Sequence, residues 1–389
     1  MKSNIWKICL VFLILLATSM IPLTSALNIE KSNLAYEYYS YQEMTDLLQN
    51  LKDSAPDIMS LESYGQTYEG RDIWVVKLSD NVDVDEDEPG VLLLGAHHGD
   101  EKISFELLIF FIEHMVECYS KENTDDDGDG FINEDPIDGI DNDQDGEKDE
   151  DPSEDRVRDA IDNTQIFIVP MVNPDGCEAD TRKNCNPDSQ NGVNLNRNYG
   201  YDWIYYDLFP NVFYTEWATS ETSGNYRGPY EYSEVETQAV KLLAESYTFN
   251  ISLSYHSGAE VVFYPWYHTS GKAPHEALFI EIGEEMEQIS GYPLWTGSDT
   301  IFPVPGGTLG TSENFLYGEH NILAYTVESA RQKSPTNPAT VYDICYKNVG
   351  VHLYLCEKAQ TIDNSVSKSL AGSFPRVLSL LHKIFPQLF

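Results

Sequence analysis

Basic residues are scarce in this sequence. Lys and Arg together number 24, against 64 Asp and Glu in 389 residues, and the formal net charge is −40. Because such a chain repels phosphate backbones, we expect no nucleic acid among its partners. Much of the negative charge lies in residues 122–155, and the remainder is consistent with a solvated acidic surface.

Long apolar runs and interdomain linkers are also lacking. No stretch rich in Pro, Ser and Gly divides residues 35–358, which predicts one large domain. The apolar run at residues 8–20 follows two lysines and is too short to span a bilayer comfortably. A short run of small residues ends at Ala26, as is typical of a signal-peptide cleavage site. Residues 1–26 are therefore predicted to be a signal peptide, with a retained membrane anchor as the alternative. Either reading places the protein outside the cytoplasm, secreted or attached to the cell surface.

Cysteine is sparse as well, with six residues in the chain. Removal of the signal peptide would leave five, an odd number that cannot all pair internally. Cys177 and Cys185 flank a polar loop and could form a disulfide there. Cys345 and Cys356 lie on one predicted helix, roughly 16 Å apart, which is too far for a bond between them.

Hydrophobic periodicity predicts alternating strands and helices. We expect strands at 73–78, 91–95, 166–172, 251–256, 261–264 and 322–327, and helices at 36–52, 101–119 and 343–356. This alternation predicts an α/β fold with a mixed, mostly parallel central sheet flanked by helices. His98, His256 and Glu328 come at the predicted carboxyl ends of strands, where open α/β sheets form ligand sites.

An acidic insertion at residues 121–156 contains a repeat with a period of sixteen residues. Its alternating carboxylates resemble the first half of a calcium-binding loop, and they are Asp125, Asp127, Asp129, Asp141, Asp143 and Asp145. Proline replaces the glutamate that would end an EF-hand loop, at Pro136 and Pro152. Two interpretations remain open, a calcium-binding insertion and a disordered acidic one.

A histidine and a glutamate three residues apart, His98 and Glu101, can bind one metal ion. A distant histidine, His256, would complete a His₂Glu zinc site with the fourth position open for water. His97 precedes this motif but does not stand three residues before a glutamate.

The chain resembles the zinc metallocarboxypeptidases of the carboxypeptidase A and T type over about residues 36–358. Seven sequence words carry the resemblance, in the order of the family: Tyr68-Glu69-Gly70-Arg71, Gly95-Ala96-His97-His98-Gly99-Asp100-Glu101, Asn173-Pro174-Asp175-Gly176, Thr181-Arg182-Lys183-Asn184, Gly192-Val193-Asn194-Leu195-Asn196-Arg197-Asn198-Tyr199, Ser254-Tyr255-His256-Ser257 and Tyr325-Thr326-Val327-Glu328. It implies a carboxypeptidase-like fold and a secreted zinc enzyme that acts on peptide or protein C-termini.

The resemblance also implies roles for single residues. His98, Glu101 and His256 match the zinc ligands, Glu328 the catalytic general base and acid, and Arg182 the arginine that stabilises the oxyanion. The substrate-binding positions match as a set: Asn196 and Arg197 hold the terminal carboxylate, Arg71 serves a further subsite, and Phe302 replaces the usual mobile tyrosine. Leu309 would line the specificity pocket and favour apolar or aromatic C-terminal side chains.

Asp175, in a loop after a strand, is expected to orient a ligand histidine.

The predicted organisation is a signal peptide (1–26), a catalytic domain (27–358) and an apolar C-terminal tail (359–389), with no inhibitory propeptide expected. Two alternatives stay open: a peptidase of the same fold that cleaves peptidoglycan stem peptides, and a non-catalytic module that binds through calcium. The sequence does not determine the oligomeric state.

Overall fold

The computed structural model describes residues 35–120, 154–201, 203, 217–268, 271–296 and 308–362. The predicted signal peptide, the six aspartates of the acidic repeat, Phe302 and the tail beyond residue 362 lie outside these residues. Across the described ranges, no helix combines the length and apolarity needed to cross a bilayer.

Eight strands of the described chain form one mixed sheet, in the order β1-β2-β4-β3-β5-β8-β6-β7. The strands are β1 (Met59–Gln66), β2 (Asp72–Leu78), β3 (Gly90–Leu94), β4 (Gln165–Val169), β5 (Ile251–His256), β6 (Ala259–Tyr264), β7 (Leu294–Thr296) and β8 (Leu323–Ala330). The central strands β4, β3, β5 and β8 run parallel to one another. β2 pairs antiparallel with β1 and β4, and β6 pairs antiparallel with β8 and parallel with β7. The prediction of a mixed, mostly parallel sheet is confirmed.

Helices pack on both faces of the sheet. They are α1 (Tyr41–Ser54), α2 (Ile103–Ser120), α3 (Glu154–Asn163), α4 (Pro174–Glu178), α5 (Val235–Ser246), α6 (Glu276–Ser290), α7 (Ser312–His320) and α8 (Pro338–Thr361). Because β3 and β4 are buried on both faces, their sequences are almost wholly apolar, whereas the equally buried β5 alternates apolar residues with serines. Two apolar clusters result, one on each side of the sheet.

The cysteines differ in part from expectation. Cys345 and Cys356 share α8, as predicted, but Cys177 and Cys185 are both free. The loop between them is held by hydrogen bonds instead: the Asn184 N–H donates to the Val193 carbonyl at 3.0 Å, and the Thr181 N–H to the Gly176 carbonyl at 2.9 Å.

Candidate metal centre and catalytic site

The site begins where β3 ends. Ala96 adopts a left-handed conformation with φ of 50°, which is uncommon for a residue with a side chain, and its N–H donates to Ser104 Oγ at 3.1 Å. This turn sends His97 and His98 to different environments. The His97 ring lies in the interior, where its Nε2 is 2.7 Å from the Tyr199 hydroxyl.

Gly99 lets the loop after β3 pass directly over the Asn173-Pro174-Asp175-Gly176 turn. A Cβ at Gly99 would lie 2.0 Å from the Gly176 carbonyl carbon, so no larger residue fits without a backbone shift. The Asn173 side chain holds that turn by accepting from the Gly176 N–H at 2.9 Å. The close approach fixes the direction in which His98 and Glu101 leave the sheet.

The three predicted metal ligands converge in the folded chain. His98 Nδ1 and His256 Nδ1 lie 3.0 Å apart, and they are 3.0 Å and 2.9 Å from the two Glu101 carboxylate oxygens. Their donor atoms all lie within 4.8 Å of one another, and all three residues are buried. Two imidazole nitrogens and a carboxylate that face one point in the interior suit a divalent cation, and the nitrogen-rich set favours zinc over calcium or magnesium.

The electrostatics also favour a metal site. Burial lowers the pKa of His98 to about 3, so this ring is neutral at physiological pH. Burial would raise the pKa of Glu101, but the adjacent His98 and His256 hold it well below its ordinary value. For His256, burial would lower the pKa, and the hydrogen bond and charge of Glu101 raise it instead. His98 and Glu101 thus have the protonation states that bind metals, a neutral imidazole and a carboxylate, and at His256 a metal would take the place of the proton that Glu101 favours.

A partner for His98 was not anticipated from the sequence. Its Nε2 lies 3.1 Å from Asn194 Oδ1, which orients the ring and leaves Nδ1 facing the other donors.

The role expected for Asp175 was wrong. Its buried carboxylate accepts from Thr67 Oγ1 and from Arg71 Nη1, each at 2.7 Å, and so fixes Arg71 rather than a histidine.

Glu328 lies beside the three converging residues. It pairs in register with His256 across the parallel strands β5 and β8, one strand spacing away. Its Oε2 is buried without a hydrogen-bond partner in the described part of the chain, and burial raises the pKa of the carboxyl group. The strand continues two residues beyond Glu328, because β6 pairs with β8 as far as Ala330. Glu328 is therefore inside the strand, not at its end as predicted.

One predicted catalytic residue, Arg182, and one predicted substrate-binding residue, Asn196, contact the metal ligands. Arg182 Nη1 donates to Glu101 Oε1 at 2.9 Å, and Asn196 Nδ2 lies 3.0 Å from His256 Nε2. Arg197 follows Asn196 in a short 3₁₀ turn, Leu195–Arg197, and is partly exposed. Arg71 forms an ion pair with the buried Asp175 at 2.7 Å.

Comparisons with known proteins agree with this geometry. Residues 44–348 match the zinc carboxypeptidase family. The chain is 29% identical over 307 residues to a zinc carboxypeptidase of Saccharothrix mutabilis subsp. capreolus, covering 75% of this chain and 61% of the relative. It is 25% identical over 342 residues to the human carboxypeptidase N catalytic chain, covering 78% and 64%. The chain thus spans less than two thirds of these relatives.

A solved structure shares the fold. The crystal structure of thrombin activatable fibrinolysis inhibitor aligns with a TM-score of 0.66 at 18% identity, covering 84% of this chain and 75% of that one. A match at this identity supports the fold alone. The match to residues 44–348 covers most of the sequence, and the chain belongs to the zinc carboxypeptidase family.

Proposed function

We propose that this protein is a secreted zinc-dependent carboxypeptidase that removes residues one at a time from peptide C-termini. The observation that carries the proposal is the buried convergence of His98 Nδ1, His256 Nδ1 and the Glu101 carboxylate. Glu328 lies on the adjacent strand, and its buried Oε2 has no hydrogen-bond partner among the described residues. A zinc ion held by these three side chains would supply an activated water and polarise the scissile carbonyl.

The chain's own residues have separate tasks in this reaction. Glu328 accepts the proton of the attacking water at its carboxylate and returns it to the leaving amine. Arg182 places a guanidinium beside the developing negative charge on the carbonyl oxygen. In the structure its guanidinium rests on Glu101, which keeps it at the site.

Asn196 and Arg197 hold the free carboxylate at the end of the substrate. A guanidinium binds a carboxylate with two parallel hydrogen bonds, and the fixed chain end then determines which peptide bond reaches Glu328. Arg71 would serve a further substrate subsite, and Phe302 would cover the bound substrate in place of the usual tyrosine. Calcium binding in residues 121–156, secretion and the domain limits given above remain predictions from the sequence.

The experiment is C-terminal laddering of a mixed peptide pool by mass spectrometry, with the full chain loaded with zinc. We expect successive loss of single C-terminal residues, which stops with a zinc chelator and resumes when zinc is restored. The same peptides with amidated C-termini should resist, because they lack the carboxylate that Asn196 and Arg197 bind.

The matched variants are Glu328→Gln and Glu284→Gln, which make the same change at the site and on the exposed surface of α6. We expect the first to lower kcat about 10²- to 10⁴-fold while zinc content is unchanged, and the second to have no effect. Equal activity of the two variants, or cleavage confined to muropeptides, would contradict the proposal.

A further inference from the structure

His97 is a fully buried polar residue to which the proposed reaction assigns no task. Its ring is hydrogen-bonded at both nitrogens. The Nε2 atom lies 2.7 Å from the Tyr199 hydroxyl, and the Nδ1 atom lies 3.2 Å from Ser254 Oγ. These two contacts fix the orientation of the ring, because a rotation about its bond to the main chain would break both of them in an interior that offers no water in exchange.

The Tyr199 hydroxyl also determines which nitrogen of His97 carries the proton. Tyr199 is fully buried, and His97 is the one hydrogen-bond partner of its hydroxyl within the described part of the chain. If the hydroxyl accepted a proton from Nε2, its own hydrogen would be buried without an acceptor, which is costly. The hydroxyl therefore donates to Nε2, and the neutral ring donates from Nδ1 to Ser254 Oγ.

The ring held in this way packs against the metal ligand His256. The two imidazoles are stacked, with centroids 5.8 Å apart and planes inclined by 19°. A stacked neighbour in a close-packed interior limits rotation of a ring, because a tilt would create a clash or a gap. Ser254 is two residues before His256 on β5, so both side chains lie on the same face of the strand and His97 contacts both.

These contacts give His97 a task at the metal site. His98 and Glu101 come from the segment that follows β3, whereas His256 ends β5, so the direction of the His256 ring is not set by the local motif. We propose that His97 is a positioning residue that holds the His256 ring with its Nδ1 directed at the zinc position. The inference rests on the zinc site of the proposed function, and it assigns His97 no contact with the substrate.

The test is the zinc Kd of His97→Phe, measured on the full chain by competition with a chromophoric chelator. Phenylalanine keeps an aromatic ring at this position but removes the hydrogen bonds to Tyr199 and Ser254. We expect the zinc Kd to rise about 10- to 100-fold, the effect of losing a group that orients a metal ligand. His97→Gln keeps a donor and an acceptor, and it should recover part of the affinity.

His352→Phe is the matched control. His352 is also fully buried, and its Nε2 lies 2.7 Å from the hydroxyl of Tyr255, which precedes His256 but points to the opposite face of β5. Each substitution breaks one buried histidine–tyrosine contact, so both should lower the melting temperature without zinc. His97→Phe should also change the zinc Kd and the visible absorption spectrum of the cobalt-substituted protein, which reports ligand geometry, and His352→Phe should change neither.

Equal zinc Kd values for the two variants would overturn the inference, because His97 would then contribute to stability alone. Should His97→Phe not fold, Tyr199→Phe takes its place. Loss of that hydroxyl should raise the zinc Kd by a smaller factor, and an unchanged Kd would likewise overturn the inference.

Failure of the proposed function gives a different result. If the wild type binds zinc but shortens no peptide, the proposed function is wrong, and the zinc Kd values still decide the role of His97. If the wild type binds no zinc, both proposals are wrong.

Discussion

Replacement of Asn194 by Ala tests whether the residues behind the metal ligands control metal affinity. Asn194 is fully buried, and its Oδ1 is 3.1 Å from His98 Nε2 while its Nδ2 donates to the Gly224 carbonyl at 3.0 Å. In the variant, the Nε2–H of a metal-binding His98 has no acceptor at this position. The ring then loses the contact that keeps Nδ1 directed at the other two donors.

The magnitude can be approached in two ways. A buried donor left without a partner costs about 1–3 kcal/mol. Loss of a hydrogen-bond partner behind a metal ligand lowers metal affinity by roughly 10- to 100-fold, or about 1.4 to 2.7 kcal/mol. The two figures agree, so we expect the zinc Kd of Asn194→Ala to rise by one to two orders of magnitude.

The assay is competition for zinc with a chromophoric chelator, accompanied by melting temperatures with and without zinc. Asn198→Ala is the matched control, because Asn198 is a buried asparagine of the same segment that bonds the Arg227 and Tyr230 carbonyls and no metal ligand. It should lower stability with zinc affinity unchanged. Asn194→Asp, which keeps an acceptor, should recover part of the affinity. Equal zinc Kd values for Asn194→Ala and Asn198→Ala would refute the reasoning.

Three further predictions concern stability. Gly99→Ala should lower the free energy of unfolding, measured by chemical denaturation, by at least about 2 kcal/mol, because the new Cβ would meet the Gly176 backbone. Gly224 has open space around it, so Gly224→Ala should change the free energy of unfolding by less than about 0.5 kcal/mol. Burial raises the pKa of Glu106 to about 7, so the contribution of the protonated Glu106 to the free energy of unfolding is fully present below about pH 4.3 and is lost as pH rises through 7. The free energy of unfolding should therefore fall between pH 5 and 8, and Glu106→Gln should remove up to roughly 3 kcal/mol of that fall. An unchanged pH profile of stability would contradict this. Calcium should raise the melting temperature of the full chain, and an equal concentration of magnesium should not. Replacement of the six repeat aspartates by Asn should abolish the rise. A melting temperature that does not depend on calcium would exclude the site.

Sequence patterns predicted the parts of the fold that are buried on both sides. β3 is displaced by only one residue, because a continuous apolar run marks a central parallel strand clearly, and β5 is found at the predicted residues. The edge strand β1 was missed, since its residues are mostly half-buried or exposed and do not alternate cleanly. Helix α6 was also missed, although Phe279, Ile282 and Met286 repeat at helical spacing and would have indicated it.

The sequence also predicted some residues of the candidate site and not others. His98 and Glu101 were found because a metal motif is local, and His256 because it ends an obvious strand. Asn194 reaches His98 across 96 residues of sequence, and no pattern in either segment specifies that contact. The role of Asp175 was misjudged for a related reason, because its partners Thr67 and Arg71 lie more than 100 residues earlier.

The sheet brings His256 and Glu328 to the local pair of His98 and Glu101. Parallel pairing of β3 with β5 and of β5 with β8 places the loop that follows β3, His256 and Glu328 at one edge, although His98 and Glu328 are 230 positions apart in the chain. An unfolded chain cannot hold that arrangement, so zinc bound there would stabilise the folded state by an amount set by its affinity. For this reason Asn194→Ala should reduce the rise in melting temperature that zinc produces. Asn198→Ala should lower the melting temperatures with and without zinc by the same amount and leave that rise unchanged.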